Sequence, residues 1–194
     1  MRIISGQLGG RKLFSVSGNH TRPTSDKVRE SIFNILSSRI GGAGVLDLFA
    51  GTGALGIESA SRGAAAVVCI DNSPAAVQAI QRNLNAFSIE NIVKIIPWDI
   101  SRNLNCIRSP QPCYDLVFMD PPYGRGLIKK ALKSLHKSQS VKPNATLVVE
   151  HSSRELIPAD FPFLAVTDQR KYGKTLVSFL TYMVSTQSNR DRKE

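Results

Sequence analysis

From residue 44 onward, apolar runs alternate with amphipathic segments in a strand–helix rhythm. "GVLDLF" is apolar enough for a buried strand, "GALGIESASRG" reads as a small-residue helix, and "AAVVCI" is the next strand. "SPAAVQAIQRNLNAF" predicts a helix in which Ser73 caps the start, Pro74 takes the first helical position, and Val77, Ile80 and Leu84 line one face. "IVKII", "YDLVFM" and "ATLVVE" continue the strands, with a helix near "GLIKKALKSL" before the last of them. Strands that alternate with helices need crossover connections, which gives a mostly parallel sheet covered on both faces. The last apolar stretch, "FLAVTDQRKYGKTLVSFLTYM", instead reads as two strands joined by a tight turn at Tyr172-Gly173-Lys174. The expected fold is therefore α/β and Rossmann-like: a mostly parallel seven-stranded sheet finished by an antiparallel hairpin.

Ahead of this core, "RIIS" and "RKLFSV" flank the turn "GQLGG" and could pair as a small hairpin carrying Arg2, Arg11 and Lys12. "TRPTSDKVRESIFNILSSRI" predicts a helix with Thr24 or Ser25 as its cap and Val28, Ile32, Ile35 and Leu36 on its inner face. Three segments result: an N-terminal hairpin and helix extension at 1–40, a main domain at 41–184, and a polar tail at 185–194 that is expected to be disordered.

Composition narrows the partners. A chain of 194 residues, 42% of them hydrophobic, can bury one substantial core, and a net charge of +10 favours an anionic partner such as nucleic acid. No run approaches the roughly 18 apolar residues of a spanning helix, so no membrane partner is expected. The start "MRIISGQLGG" has no secretion-signal core, and Cys69, Cys106 and Cys113 are odd in number and match no metal spacing. A cytoplasmic protein with reduced thiols is expected, with Cys69 as a small core residue. His20, His136 and His151 form no ligand pattern, so no metal is assigned.

The turn "DLFAGTGALG" holds Gly51, Gly53 and Gly56, a literal G-x-G-x-x-G, and Asp71 closes the following strand. Glycines let the backbone pass close to a ligand, while an acid at the second strand end can accept hydrogen bonds from ribose hydroxyls. Any adenosine cofactor could use that pair. Asp47, just before the glycines, tilts the choice: an anion there is poorly matched to a pyrophosphate but suits the ammonium of an amino-acid moiety. S-adenosylmethionine (AdoMet) carries that ammonium. Asp99 follows the third strand, where it is either a turn acid or an acid beside the adenine amino group.

"FMDPPYGRG" ends the fourth strand. Pro121 and Pro122 fix the backbone and lack N–H groups, so nearby carbonyls are held as acceptors, and Asp120 adds a carboxylate. An exocyclic amine could be gripped by these acceptors while Tyr123 stacks on its ring. Holding both N–H groups off the ring plane would expose the nitrogen lone pair to a methyl donor, with positioning and electrostatics carrying the catalysis.

"MRIISGQLGGRKL", "TRPTSDKVRESIFNIL", "LDLFAGTGALGIESASRGA", "DPPY" and "RKYGKTLVSFL" together resemble the RsmD family of bacterial 16S ribosomal RNA guanine-N2 methyltransferases, over residues 1 to about 183. The resemblance implies a class I methyltransferase fold and AdoMet-dependent methylation of the N2 amine of one guanine, numbered 966, in the small ribosomal subunit. It implies catalytic roles for Asp120, Pro121, Pro122 and Tyr123, and a cofactor site lined by Asp47, Gly51, Gly53, Asp71 and Asp99. Arg22 and Thr24 would close over cofactor or RNA, and Arg2, Arg11 and Lys12 would contact phosphates. A monomer is expected. Acid-Pro-Pro-Tyr specifies an amine and not a base, so a DNA adenine-N6 methyltransferase is an alternative, though no separate target-recognition domain is evident. An NAD-dependent oxidoreductase and a non-catalytic RNA-binding module are more distant ones.

Overall fold

The computed structural model describes residues 1–15, 26–111, 113–158 and 160–183. In chain order its elements are α1 (Asp26–Ile35), β1 (Gly44–Leu48), α2 (Ala54–Ser61), β2 (Ala66–Asp71), α3 (Pro74–Phe87), β3 (Val93–Pro97), β4 (Tyr114–Met119), α4 (Leu127–Ser138), β5 (Val141–Ser152), β6 (Leu164–Tyr172) and β7 (Thr175–Tyr182). The strands form one sheet in the order β3-β2-β1-β4-β5-β7-β6. All pairings from β3 to β5 are parallel, whereas β7 runs antiparallel to both β5 and β6.

Side-chain alternation along the central strands divides the core in two. In β1, Val45 joins the cluster under α1, α2 and α3, while Leu46 and Leu48 join the cluster under α4. In β4, Leu116 and Phe118 face the first layer and Val117 and Met119 the second. Because both faces are covered, these strands carry no polar stripe, as the continuous apolar runs imply. The Ser73 cap of α3 is present, its hydroxyl accepting from Ala76 N–H with Pro74 beside it.

The first residues pair with each other as expected: beside the antiparallel Arg2–Lys12 bridge, Ile3 N–H donates to Arg11 O (3.0 Å), Gly10 N–H to Ile3 O (2.8 Å) and Leu13 N–H to Met1 O (3.2 Å). The segment also bonds the main body: Glu58 Oε2 accepts from Ile4 N–H (2.7 Å) and Oε1 from Ser5 N–H (3.0 Å). One feature differs from expectation: Ile35 is not on the inner face of α1. It is 40% exposed, and the buried stripe is Val28, Arg29, Ile32 and Phe33, continued by Leu36 just beyond the helix. The helix is rotated because Phe33 packs on Phe118 (5.7 Å between centroids) beneath the Arg62 guanidinium, and Arg29 reaches Arg2 O (2.6 Å). The proposed cap, Thr24 or Ser25, lies outside the described residues.

Candidate active site

Chain order reverses between β1 and β4. The helices after β1 and β2 lead outward to β3, and the chain then returns to the other side of β1. In open α/β sheets, that reversal leaves a crevice at the carboxyl ends of the two central strands. Here the crevice is bounded by the turn after β1 and by Asp120, whose N–H meets Leu48 O at 3.5 Å.

The turn after β1 is held in a backbone shape that few sequences tolerate. Phe49, Gly51 and Gly53 all have positive φ, at 61°, 56° and 74°. For Phe49 this is a rare conformation, maintained by neighbours: Ala50 N–H donates to Ile70 O (3.1 Å) and Gly53 N–H to Ala50 O (2.7 Å). No atom lies within 4 Å of the space a Gly51 side chain would occupy, so the backbone there faces an open cradle. Gly56 has a different reason to be glycine. A Cβ there would lie 2.6 Å from Cys69 Sγ, so its absence lets α2 pack closely on β2.

The acids predicted for the cofactor site fall into two groups. Asp71 stands at the end of β2 and fixes the cradle, with Oδ2 accepting from Gly51 N–H (2.9 Å) and Oδ1 from Ser73 N–H (2.9 Å). Asp47, in β1, is only 2% exposed, and its Oδ2 accepts from Gly56 N–H (2.9 Å). Burial pushes its carboxyl up to about 7; the Gly56 bond opposes this and the Asp71 charge adds to it. A buried carboxylate so poised favours a proton or an adjacent cation. Asp99 follows β3 at the same sheet edge but is engaged locally: Oδ1 accepts from the Ser101 hydroxyl (2.6 Å) and N–H (3.0 Å), and Oδ2 pairs with Arg102 Nε (3.2 Å). These contacts, the Ser101 hydroxyl foremost, hold its carboxyl below the usual range.

On the β4 side, Pro121 is buried and Pro122 and Tyr123 are exposed. The Tyr123 ring is 44% exposed, yet its hydroxyl is anchored, donating to Glu150 Oε1 (3.2 Å) with Thr175 Oγ1 at 3.4 Å. Desolvation, with the Glu150 and Asp120 charges, pushes its pKa to about 12 against the Thr175 bond, so it stays a neutral donor. Gly124 N–H donates to Glu155 Oε2 (2.9 Å). The middle of the loop is thus fixed, at Tyr123 and Gly124, by acids from β5 and the turn after it.

Sequence reasoning missed the residues that join the N-terminal segment to this site. Asn83 of α3 is fully buried; its Oδ1 accepts from Phe14 N–H (2.7 Å), and its Nδ2 donates to Phe14 O and Thr52 O (both 3.1 Å). Glu58, also fully buried, pairs with Arg62 at 2.7 Å besides holding Ile4 and Ser5. Arg29 Nη2 bonds Arg2 O and Asp26, while its Nε and Nη1 have no partner among the described residues. A polar residue inside an apolar helix face was the available signal; its partners, up to 69 positions away for Asn83, were not legible.

Of the basic residues expected at phosphates, Arg11 donates to Ala86 O (2.7 Å) at the end of α3 and lies over the Phe87 ring, a position that complements the helix dipole. Arg2 and Lys12 are exposed across the bridge. Arg22 and Thr24 lie outside the described residues. Cys69 is fully buried and its thiol is pushed up by that burial, as a core role requires. His151 is buried against Glu155 O and the Ser178 hydroxyl, and His136 stacks on Phe163.

Comparison with known proteins agrees with this geometry. The family model described as "Conserved hypothetical protein 95" matches residues 1–181. The chain is 35% identical over 158 residues to the ribosomal RNA small subunit methyltransferase D of Escherichia coli K12, covering 81% of this chain and 78% of that one. It is likewise 35% identical over 178 residues to YlbH of Bacillus subtilis, provisionally named an rRNA methyltransferase, covering 92% and 97%. Among solved structures, Escherichia coli yhhF, provisionally described as a methyltransferase, superposes with a TM-score of 0.85 at 29% identity, over 95% of this chain and 99% of that one. A buried acid, a glycine cradle and an acid-Pro-Pro-Tyr loop thus meet in a chain matched from end to end of its sheet, and the chain belongs to the Conserved hypothetical protein 95 family, the RsmD family of ribosomal RNA methyltransferases.

Proposed function

We propose that this protein transfers the methyl group of AdoMet to the exocyclic N2 amine of a guanine in 16S rRNA, at the position numbered 966. The observation that carries the reading is the meeting of two halves at the β1/β4 crevice. A buried, proton-hungry Asp47 and an open Gly51 cradle suit the ammonium and backbone-close body of AdoMet, and Asp120 begins an amine-gripping loop bonded to the end of β1. Asp47, Gly51, Gly53 and Asp71 would hold the cofactor, with Asp99 at its adenine end; bound there, AdoMet supplies an electrophilic methyl group.

The remaining chemistry belongs to the chain. Asp120 and a proline-loop carbonyl accept the two amine N–H groups, and Tyr123, fixed by Glu150, offers its exposed ring for stacking. Withdrawing the amine from conjugation exposes its lone pair. After transfer the nitrogen is cationic and acidic, and Asp120 accepts the proton or passes it to water. A stacked or paired target base would cost on the order of a few kcal/mol to extrude, offset in part by the Tyr123 stack. Residues 1–40 serve as an RNA- and cofactor-contacting extension, and the protein works in the cytoplasm as a monomer.

The test is nucleoside mass spectrometry after incubating small subunits or 16S RNA with labelled AdoMet. Labelled N2-methylguanosine is expected, and Asp120→Ala should lower turnover by about 10³-fold while changing AdoMet affinity far less. With duplex DNA incubated in parallel, labelled N6-methyladenine in the DNA and no product in the RNA, or no product in either, overturns the reading.

A further inference from the structure

The segment "RKYGK", residues 170–174, forms the end of β6 and the turn into β7. Tyr172 and Thr175 pair at the closed end of the β6–β7 hairpin, and Ser152 pairs with Thr175, so the tip stands at the catalytic edge of the sheet. It is bound into the site from two sides. Thr175 Oγ1 lies 3.4 Å from the Tyr123 hydroxyl, and Ser153 N–H donates to Lys174 O (3.0 Å) in the same turn whose Glu155 holds Gly124. On the other flank the Tyr172 hydroxyl bonds Ser31 Oγ of α1. The catalytic loop, the turn after β5 and the hairpin tip are one hydrogen-bonded unit.

Charge is sorted within that unit. The acids Glu150 and Glu155 are partly buried and face the catalytic loop, whereas Arg125, Arg154, Lys171 and Lys174 are exposed around it. Arg170 is held by Asp168 (2.9 Å), but Lys171 and Lys174 form no ion pair among the described residues. Strand alternation puts Arg170 and Tyr172 on the α1 face and Lys171 on the other, so the tip is positive on both sides. On the α1 face, a groove of about 590 Å³ continues between α1 and the hairpin, with Lys27 and Arg170 in its walls and Glu30 beside them. An amine-binding acidic centre inside a basic rim fits a nucleotide whose base enters while its phosphates stay outside.

We infer that the β6–β7 hairpin tip, through Lys171 and Lys174, is an RNA-phosphate clamp that grips the strand flanking the target base. The inference rests on the reading of the site as an rRNA methyltransferase. The clamp is rigidly linked to Tyr123, so strand and base are positioned together.

The test compares wild type, Lys171→Gln/Lys174→Gln and the control pair Lys133→Gln/Lys137→Gln, both exposed on α4, for binding and methylation of 16S RNA and assembled subunits. The hairpin pair should raise KM for RNA about tenfold or more, with kcat and calorimetric AdoMet affinity unchanged. It should also lower the slope of log affinity against log salt by roughly 1.4 for two lost phosphate contacts. The control pair should change KM less than about twofold. A hairpin pair that matches wild type, or a control pair that matches the hairpin pair, overturns the clamp. Wild type that binds RNA without methylating it overturns the rRNA-methyltransferase reading while the salt slopes still judge the clamp; wild type that binds no RNA overturns both.

Discussion

Replacing Asp47 with Asn should make the ligand-free protein more stable and a poorer enzyme. Asp47 is buried, and its carboxyl is pushed from 3.8 to about 7, chiefly by loss of water. The native state therefore holds a proton between those two values that the unfolded chain has released. Stability accordingly falls as pH rises through that window and is level above it. The gap corresponds to about 4 kcal/mol at pH 8.5 and to less than half of that at pH 5. Asn can still accept from Gly56 N–H through its oxygen, and among the described residues the Asp47 carboxyl makes no second hydrogen bond that the substitution would lose. Urea melts of wild type and Asp47→Asn, without AdoMet, should show the variant ahead by about 3–4 kcal/mol at pH 8.5, with the advantage shrinking by roughly 3 kcal/mol at pH 5. Saturating AdoMet should narrow that advantage by about 1.4 kcal/mol for each tenfold difference in affinity, because the wild-type carboxylate can pair with a cation and the amide cannot; calorimetry should show affinity for the variant at least about tenfold weaker. A variant that is no more stable at pH 8.5, or whose advantage does not vary with pH, refutes the argument that Asp47 is a buried charge kept for a ligand.

Further outcomes follow from the contacts around the crevice. Asn83→Ala removes three hydrogen bonds at about 1 kcal/mol each, so chemical melts should show a loss of roughly 2–4 kcal/mol, and AdoMet affinity should fall because Thr52 O is released. Gly56→Ala should cost about 1–3 kcal/mol through its collision with Cys69 Sγ, and Cys69→Ala should recover part of that; strict additivity in the double-mutant cycle would refute the collision. Tyr123→Phe keeps the ring and loses the Glu150 anchor, so steady-state assays should show less than about a tenfold loss in kcat. Tyr123→Ala should lose on the order of a hundredfold in kcat/KM, the worth of a base stack.

The sequence by itself determined the seven strands, the direction of the closing hairpin, the Ser73 cap and the position of the two motif loops at strand ends. Each of these is written in local periodicity or in residues a few positions apart, where backbone sterics and burial on two faces leave few choices. The inner face of α1 was read one step wrong because helical spacing marks Ile35 as well as Phe33, and only the Phe118 ring across the sheet decides between them. Tertiary structure alone decided that the paired first residues would also bond Glu58, and that Arg11 would cap α3. It alone placed Asn83 between Phe14 and the glycine turn, and joined Tyr123 to Glu150 and Thr175. These are single polar contacts between segments from 27 to 75 residues apart. No periodicity encodes such pairings, because the partner is chosen by which buried donor or acceptor the fold would otherwise leave unsatisfied.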